Sequence, residues 1–295
     1  MRRRFALVFN SAAGSSHPRL LDRVLARLAV AGASVEKLET SSAADATNKV
    51  RKAAEAMTFD AVIAAGGDGT IRSVASGAAG TNLAVGIVPL GTGNVMKYEI
   101  GLRTGAASIA ETLLNGPEIN IRGGLVNGAP FFLMAGAGFD GGIVANLNQR
   151  IKRRLGRLAY AEPLFSALAK PPRMFDVEVD GAGYDVSWAI VSNASRYGGS
   201  FVLTRDTSIE REGLVAILVM GASRGEVLKA AFALGLGRLA HPATRPKGIV
   251  VLPATRVVMG RHIYVPLEVD GDEAGMTPVE ITAEGPKVRL IVPAA

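Results

Sequence analysis

The residues best suited to chemistry sit in two glycine-rich turns and one late acidic cluster. The turns are Gly66-Gly67-Asp68-Gly69-Thr70 and Gly91-Thr92-Gly93-Asn94, and the cluster is Asp270-Gly271-Asp272-Glu273. A glycine turn that opens a helix lets backbone N–H groups approach phosphate oxygens closely, and the helix dipole adds to the attraction. One such turn alone is as readily a plain structural turn. Two on neighbouring strand ends of one sheet would meet at the carboxyl edge, where open α/β sheets bind ligands. Asp68 stands inside the first turn, where a carboxylate repels phosphate unless a cation lies between them or it polarises a hydroxyl. It is also a natural cap for the following helix. Asp270-Gly271 is equally a hairpin signal. An EF-hand reading of Asp270, Asp272 and Gly275 fails at Ala274 and Ile281, where carboxyl ligands are needed.

A third glycine-rich segment, Gly136-Ala137-Gly138-Phe139-Asp140-Gly141-Gly142, is read as another turn after a strand and matches G-x-G-x-x-G formally. A dinucleotide site needs a strand ending in an acidic residue roughly 20 residues on. That region is the basic Arg154-Leu155-Gly156-Arg157, so the match is accidental. No Walker A ending occurs. The histidines, His17, His241 and His262, are far apart and read as surface or packing residues, and the absence of cysteine excludes disulfides and thiolate sites.

The elements that must position these residues alternate at first. Apolar runs at Phe5–Asn10, Ser34–Leu38, Ala61–Ala65 and Leu83–Val88 read as strands. Helical spacing marks Pro18–Ala31, Ala43–Met57 and Ile71–Gly77. Such alternation implies a parallel sheet covered on both faces. After about Ile121 short strands dominate, ending with Val279–Thr282 and Val288–Val292; helices are expected around Ile143–Arg154, Leu158–Ala169 and Arg224–Leu236. The expected fold is α/β: an N-terminal nucleotide-binding three-layer domain with a parallel sheet (1–121), then a C-terminal β-sandwich-like domain (122–295).

Length and composition agree with two domains: 295 residues, 48% hydrophobic and 20% charged, enough for a sizeable core and against a disordered or fibrous chain. A formal net charge of +7 favours anionic partners. The uncharged run Val74–Met96 is long enough to span a bilayer but is broken by five glycines and Pro89. The apolar stretch after Arg2-Arg3-Arg4 is too short for a signal peptide, so a cytoplasmic protein is expected. The run Arg150–Arg157 holds five basic residues in eight. It reads as a solvated helix face or as a contact with anionic lipids; nucleic acid is disfavoured because aromatic interleaving is missing.

With these motifs in order, the chain resembles the diacylglycerol kinase/sphingosine kinase catalytic family, in its bacterial lipid kinase branch. The resemblance rests on Gly66–Thr70, on Val88-Pro89-Leu90-Gly91-Thr92-Gly93-Asn94, and on Ala135–Asp140. It is extended by Asn10 and Gly14 in a first nucleotide loop, Tyr197-Gly198-Gly199 and Val269–Asp272. It implies ATP bound in a cleft between the domains and a lipid hydroxyl phosphorylated. ATP would contact Asn10, Gly14, Gly66, Gly67, Gly69, Thr70, Gly91, Thr92, Gly93, Asn94 and Asp272. Asp270 would be the base, and Asp68 and Asp272 would hold Mg²⁺. A structural cation would sit on the carbonyls of Ile209 and Leu214 and the Glu212 carboxylate. The chain departs from the family pattern at Ser11, Ser15, Arg72, Ser73, Val95, Arg122 and Asp272, which removes several carboxylates.

The reading is therefore an ATP- and Mg²⁺-dependent lipid kinase of the diacylglycerol kinase type, serving phospholipid metabolism. It would be cytoplasmic and peripherally membrane-associated, meeting its lipid substrate at a membrane surface, without nucleic acid, and with a homodimer left open. The alternatives are an NAD kinase-like enzyme, against which Val95 after Asn94 speaks, and a non-catalytic nucleotide or lipid sensor.

Overall fold

The computed structural model of the chain describes residues 1–9, 18–139, 141–142 and 171–294. Contacts divide these into one unit of Met1–Arg122 with Pro286–Ala295 and another of Gly123–Gly285.

In the first unit, β1 (Arg4–Phe9), β2 (Ser34–Leu38), β3 (Ala61–Gly66) and β4 (Ala84–Pro89) pair in parallel. Every residue of β3 and β4 is buried, as expected of central strands covered on both faces. The cover comes from two packed helix pairs: α1 (Pro18–Val30) with α5 (Ala106–Asn115), and α2 (Ala43–Ala56) with α3 (Asp68–Ala78). A short helix, α4 (Val95–Glu99), follows the second glycine turn, and β5 (Glu118–Arg122) closes the run. The stretch 74–96 that could have spanned a membrane is thus α3, β4 and the start of α4. Among the described residues, no helix is long and apolar enough to cross a membrane.

The second unit carries two antiparallel sheets of six strands. One is built from β6 (Gly124–Val126), β7 (Ala129–Phe131), β9 (Phe175–Val179), β10 (Ala182–Val186), β16 (Arg256–Met259) and β19 (Val279–Thr282). The other has β8 (Met134–Gly138), β11 (Trp188–Ser192), β14 (Leu214–Val219), β15 (Ile249–Ala254), β17 (Pro266–Val269) and β18 (Asp272–Met276). Alternate residues share one core: Phe175, Val177 and Val179 from the first sheet, and Leu214, Ala216 and Leu218 from the second. This is the period-two pattern of a sandwich. Among the described residues the unit also holds a small hairpin, β12 (Arg196–Tyr197) with β13 (Phe201–Val202), a helix, α6 (Arg224–Gly235), and two short 3-10 turns at Arg238–Ala240 and Pro242–Thr244.

Two expectations are corrected. The last apolar run, expected in the β-rich domain, is β20 (Lys287–Ile291). It pairs with β4 in parallel and β5 antiparallel, inside the first sheet. Arg289 secures it through Glu118 (2.6 Å) and the Asn82 carbonyl (2.9 Å). Gly136 and Gly138 are not in a turn; they lie within β8, between β11 and β17, which ends any dinucleotide-loop reading. The helices expected around 143–154 and 158–169 lie outside the described residues.

Candidate functional site

The two glycine turns follow adjacent parallel strands whose ends are in register, Gly66 opposite Pro89. The Leu90 N–H donates to the Gly66 carbonyl at 2.9 Å and locks the second turn onto the first. Beyond that point the backbones touch. A Cβ placed on Gly91 would lie 2.5 Å from the Gly67 Cα, whereas one on Gly67 would meet Gly91 at an ordinary 3.4 Å. Gly91 is therefore the residue whose missing side chain lets the turns close. Asn94, in the left-handed region at φ 50, donates from Nδ2 to the Gly91 carbonyl at 2.7 Å and shapes the turn from its far end. Thr70 fills the space that a side chain on Gly66 would take. Gly67–Thr70 and Gly91–Asn94 are all partly exposed, so a ligand can reach this edge.

Asp68 is the first residue of α3, but its carboxylate serves a different helix. Oδ2 accepts from the Val95 N–H at 3.1 Å and Oδ1 from the Met96 N–H at 3.2 Å. The expected cap on the following helix, α3, is not formed; the carboxylate caps α4 instead. A negative charge at that N-terminus complements the helix dipole. Oδ2 also faces Gly93, where a Cβ would stand 3.4 Å away. Gly66, Gly67, Asp68, Gly69, Thr70, Gly91, Thr92, Gly93 and Asn94 thus belong to one corner of the first unit. Asn10 and Gly14 fall outside the described residues, as does the basic run 150–157.

In the second unit Asp270 is only 4% exposed. Its Oδ1 accepts from the N–H groups of Leu133 (2.8 Å) and Met134 (3.0 Å), and its Oδ2 from Phe132 (3.0 Å). Asp270-Gly271 is the two-residue link between β17 and β18, with Val269 opposite Asp272 and both turn residues at positive φ (50 and 82). The hairpin reading holds, and the carboxylate ties that hairpin to the 132–134 segment. The sequence reading missed two polar residues here. Asn193, buried, donates from Nδ2 to the Phe132 carbonyl at 2.9 Å. Glu268, also buried, receives the Gly271 N–H at 2.8 Å. A polar Ser192-Asn193 directly after the apolar Trp188–Val191 was the available signal for the first.

Asp272 opens β18 and is partly buried. Ile209 and Leu214 are buried, while Glu212 is exposed beside Gly213 at φ 94. Among the described residues no three acidic or histidine side chains gather as a metal cage. The structural cation that the resemblance implies would have a single carboxylate, that of the exposed Glu212. The glycine-turn corner differs: one carboxylate, Asp68, stands beside the paired turns, where it could serve Mg²⁺. Mg²⁺ in phosphate sites is commonly held by one or two carboxylates together with the substrate's own phosphates.

Fold and site together define a two-domain protein: an α/β domain with paired glycine turns at its strand ends, and a β-sandwich domain. The diacylglycerol kinase catalytic domain family matches residues 4–126, and the YegS C-terminal NAD kinase beta sandwich-like domain matches residues 134–292. A diacylglycerol kinase of Bacillus subtilis (strain 168) is 28% identical over 299 residues, covering 99% of this chain and 97% of that one. A diacylglycerol kinase of Mycobacterium tuberculosis is 29% identical over 286 residues, covering 91% and 88%. The crystal structure of a diacylglycerol kinase from Bacillus anthracis strain Sterne superposes with a TM-score of 0.71 at 18% identity, covering 98% and 96%. That likeness shows the fold. The chain belongs to the bacterial lipid kinase family.

Proposed function

We propose that the protein transfers the terminal phosphoryl group of ATP to the hydroxyl of a diacylglycerol-like lipid. The observation that supports this most is the backbone contact between Gly67 and Gly91 at the ends of adjacent strands, with Asp68 fixed beside it. Phosphoryl transfer asks the protein mainly for positioning and electrostatics. In this reading the phosphates lie against the glycine backbone and the N-terminus of α3, where N–H groups and the dipole favour anions. Mg²⁺, when bound, would neutralise charge on the phosphate oxygens. Asp68 would orient that charge balance, with Asp272 proposed as a second carboxylate. Asp270 is proposed to take the proton of the lipid hydroxyl as its oxygen bonds to phosphorus and the bond to the ADP oxygen breaks. The names of the relatives support the acceptor class.

Titration calorimetry with ATP and Mg²⁺ tests the nucleotide half. Wild type is expected to bind, and Gly91→Val is expected to lose most of that affinity while keeping its fold. An unchanged affinity in Gly91→Val, or no binding by wild type, would overturn the reading.

A further inference from the structure

Helix α6 has two apolar faces and only one of them is covered. It starts under a complete capping box: Ser223 Oγ accepts from the Glu226 N–H at 3.2 Å, and Glu226 Oε2 accepts from the Ser223 N–H at 3.1 Å. Val227, Ala230, Ala233 and Leu234 are buried on its inner side, against β13 and β14. On the opposite side, Leu228, Phe232 and Leu236 recur every fourth residue and stand 52%, 65% and 53% exposed. Phe201, on the adjacent β13, is another exposed apolar side chain. A helix apolar all round is ordinarily buried. An exposed apolar stripe on a domain surface marks a contact.

The charge around the stripe says which contact. Residues 221–248 carry Arg224, Lys229, Arg238, Arg245 and Lys247 against a single acid, Glu226, whose carboxylate is held in the capping box. Arg224, Lys229, Arg238 and Lys247 are exposed. Apolar side chains on one face with cations beside them fit a helix lying in the plane of an anionic bilayer: the apolar groups enter the headgroup boundary and the cations meet lipid phosphates. At 12 residues α6 is far too short to cross.

We infer that the outer face of α6, through Leu228, Phe232 and Leu236 with Lys229 and Arg238, docks the protein onto an anionic phospholipid bilayer. This rests on the lipid kinase reading, which requires the protein to meet a bilayer-held substrate. It is independent of the basic run 150–157.

The test uses the full chain and sedimentation with vesicles, either phosphatidylcholine alone or mixed with phosphatidylglycerol. Wild type is expected to sediment with the mixed vesicles. Phe232→Glu should weaken that binding by about tenfold or more, since a large apolar contact is lost. Lys229→Gln with Arg238→Gln should weaken it by about fivefold per cation at low salt, a difference that shrinks at high salt. All three positions are exposed, so melting temperatures should match wild type. Binding unaffected by Phe232→Glu, or no binding by wild type, would overturn the inference. So would a wild-type dimer in sedimentation velocity that Phe232→Glu converts to monomer, since the face would then join two copies of this chain. Phosphorylation separates this inference from the kinase reading. Phe232→Glu should act normally on a short-chain, water-dispersed diacylglycerol and poorly on one held in vesicles; equal loss on both would count against docking. Vesicle binding through α6 by a protein that phosphorylates neither form would leave the docking inference standing and remove the kinase reading.

Discussion

Two hairpins in the sandwich are built alike, and only one of them carries a proposed catalytic group. Asp180-Gly181 links β9 to β10, and Asp270-Gly271 links β17 to β18; each pair has positive φ at both residues, as an Asp-Gly turn of this kind requires. Each aspartate also catches backbone N–H groups of a distant segment. Asp180 takes those of Thr255 and Arg256, with the Thr255 hydroxyl at 2.6 Å, and Asp270 takes those of Phe132, Leu133 and Met134. The difference is burial: Asp180 is exposed and Asp270 is not. A turn sequence therefore explains the backbone of both sites and the chemistry of neither. Asp180 serves as a built-in control for Asp270.

The largest effect should come from Asp270→Asn. An amide cannot accept at both ends, so Nδ2 would face an N–H donor of the 132–134 segment, at a stability cost of about 1–3 kcal/mol. If Asp270 takes the hydroxyl proton, kcat should also fall by about 10²- to 10⁴-fold in protein that remains folded. A stability loss without a kcat loss would make the two hairpins equivalent. Gly91→Ala comes next. Its Cβ must displace the Gly67 backbone, an overpacking cost of about 1–3 kcal/mol, which is about five- to 150-fold if expressed in ATP affinity. Gly67→Ala should do less, and calorimetry of the pair ranks them. Asp180→Asn is expected to lower stability by about 1 kcal/mol and leave kcat at wild-type level; denaturant titration and initial rates check both.

The smallest effect is a pH dependence. The Thr255 hydroxyl, opposed in part by desolvation and helped by the N–H groups of Thr255 and Arg256, holds the Asp180 carboxyl below its ordinary 3.8. A lowered folded value means the stabilisation is present above the unfolded value and is lost as pH falls through the folded one. Wild type should therefore lose part of its margin over Asp180→Asn below about pH 4, as melting curves from pH 6 to 3 would show. A margin constant across that range would contradict it.

What the sequence revealed depended on how local the cause was. The buried runs of β3 and β4, the glycine turns after them and the helical spacing of α6 were legible because each is written within a dozen residues. The place of β20 was not, since Val288–Val292 is equally apolar in either sheet and its partners, β4 and β5, lie far back along the chain. The pairing of Gly91 with Gly67 could be anticipated as neighbouring turns, but which glycine is indispensable depends on an approach of backbones. The partners of Asp68 and Asp270 lie 27 and 138 residues away along the chain, in segments whose only contribution is N–H groups, which no side-chain pattern announces. The helix α5 did carry a signal, Ile109, Ala110, Leu113 and Leu114 at helical spacing, that the strand-focused reading passed over.

The most direct measurement is phosphoryl transfer itself. Purified protein is incubated with ATP labelled in its terminal phosphate, Mg²⁺, and either dispersed diacylglycerol with total lipid extract or NAD, and the products are separated. Label in a lipid phosphate and none in NADP is the predicted result. Label in NADP, or ATP binding with no transfer to any lipid, would contradict it.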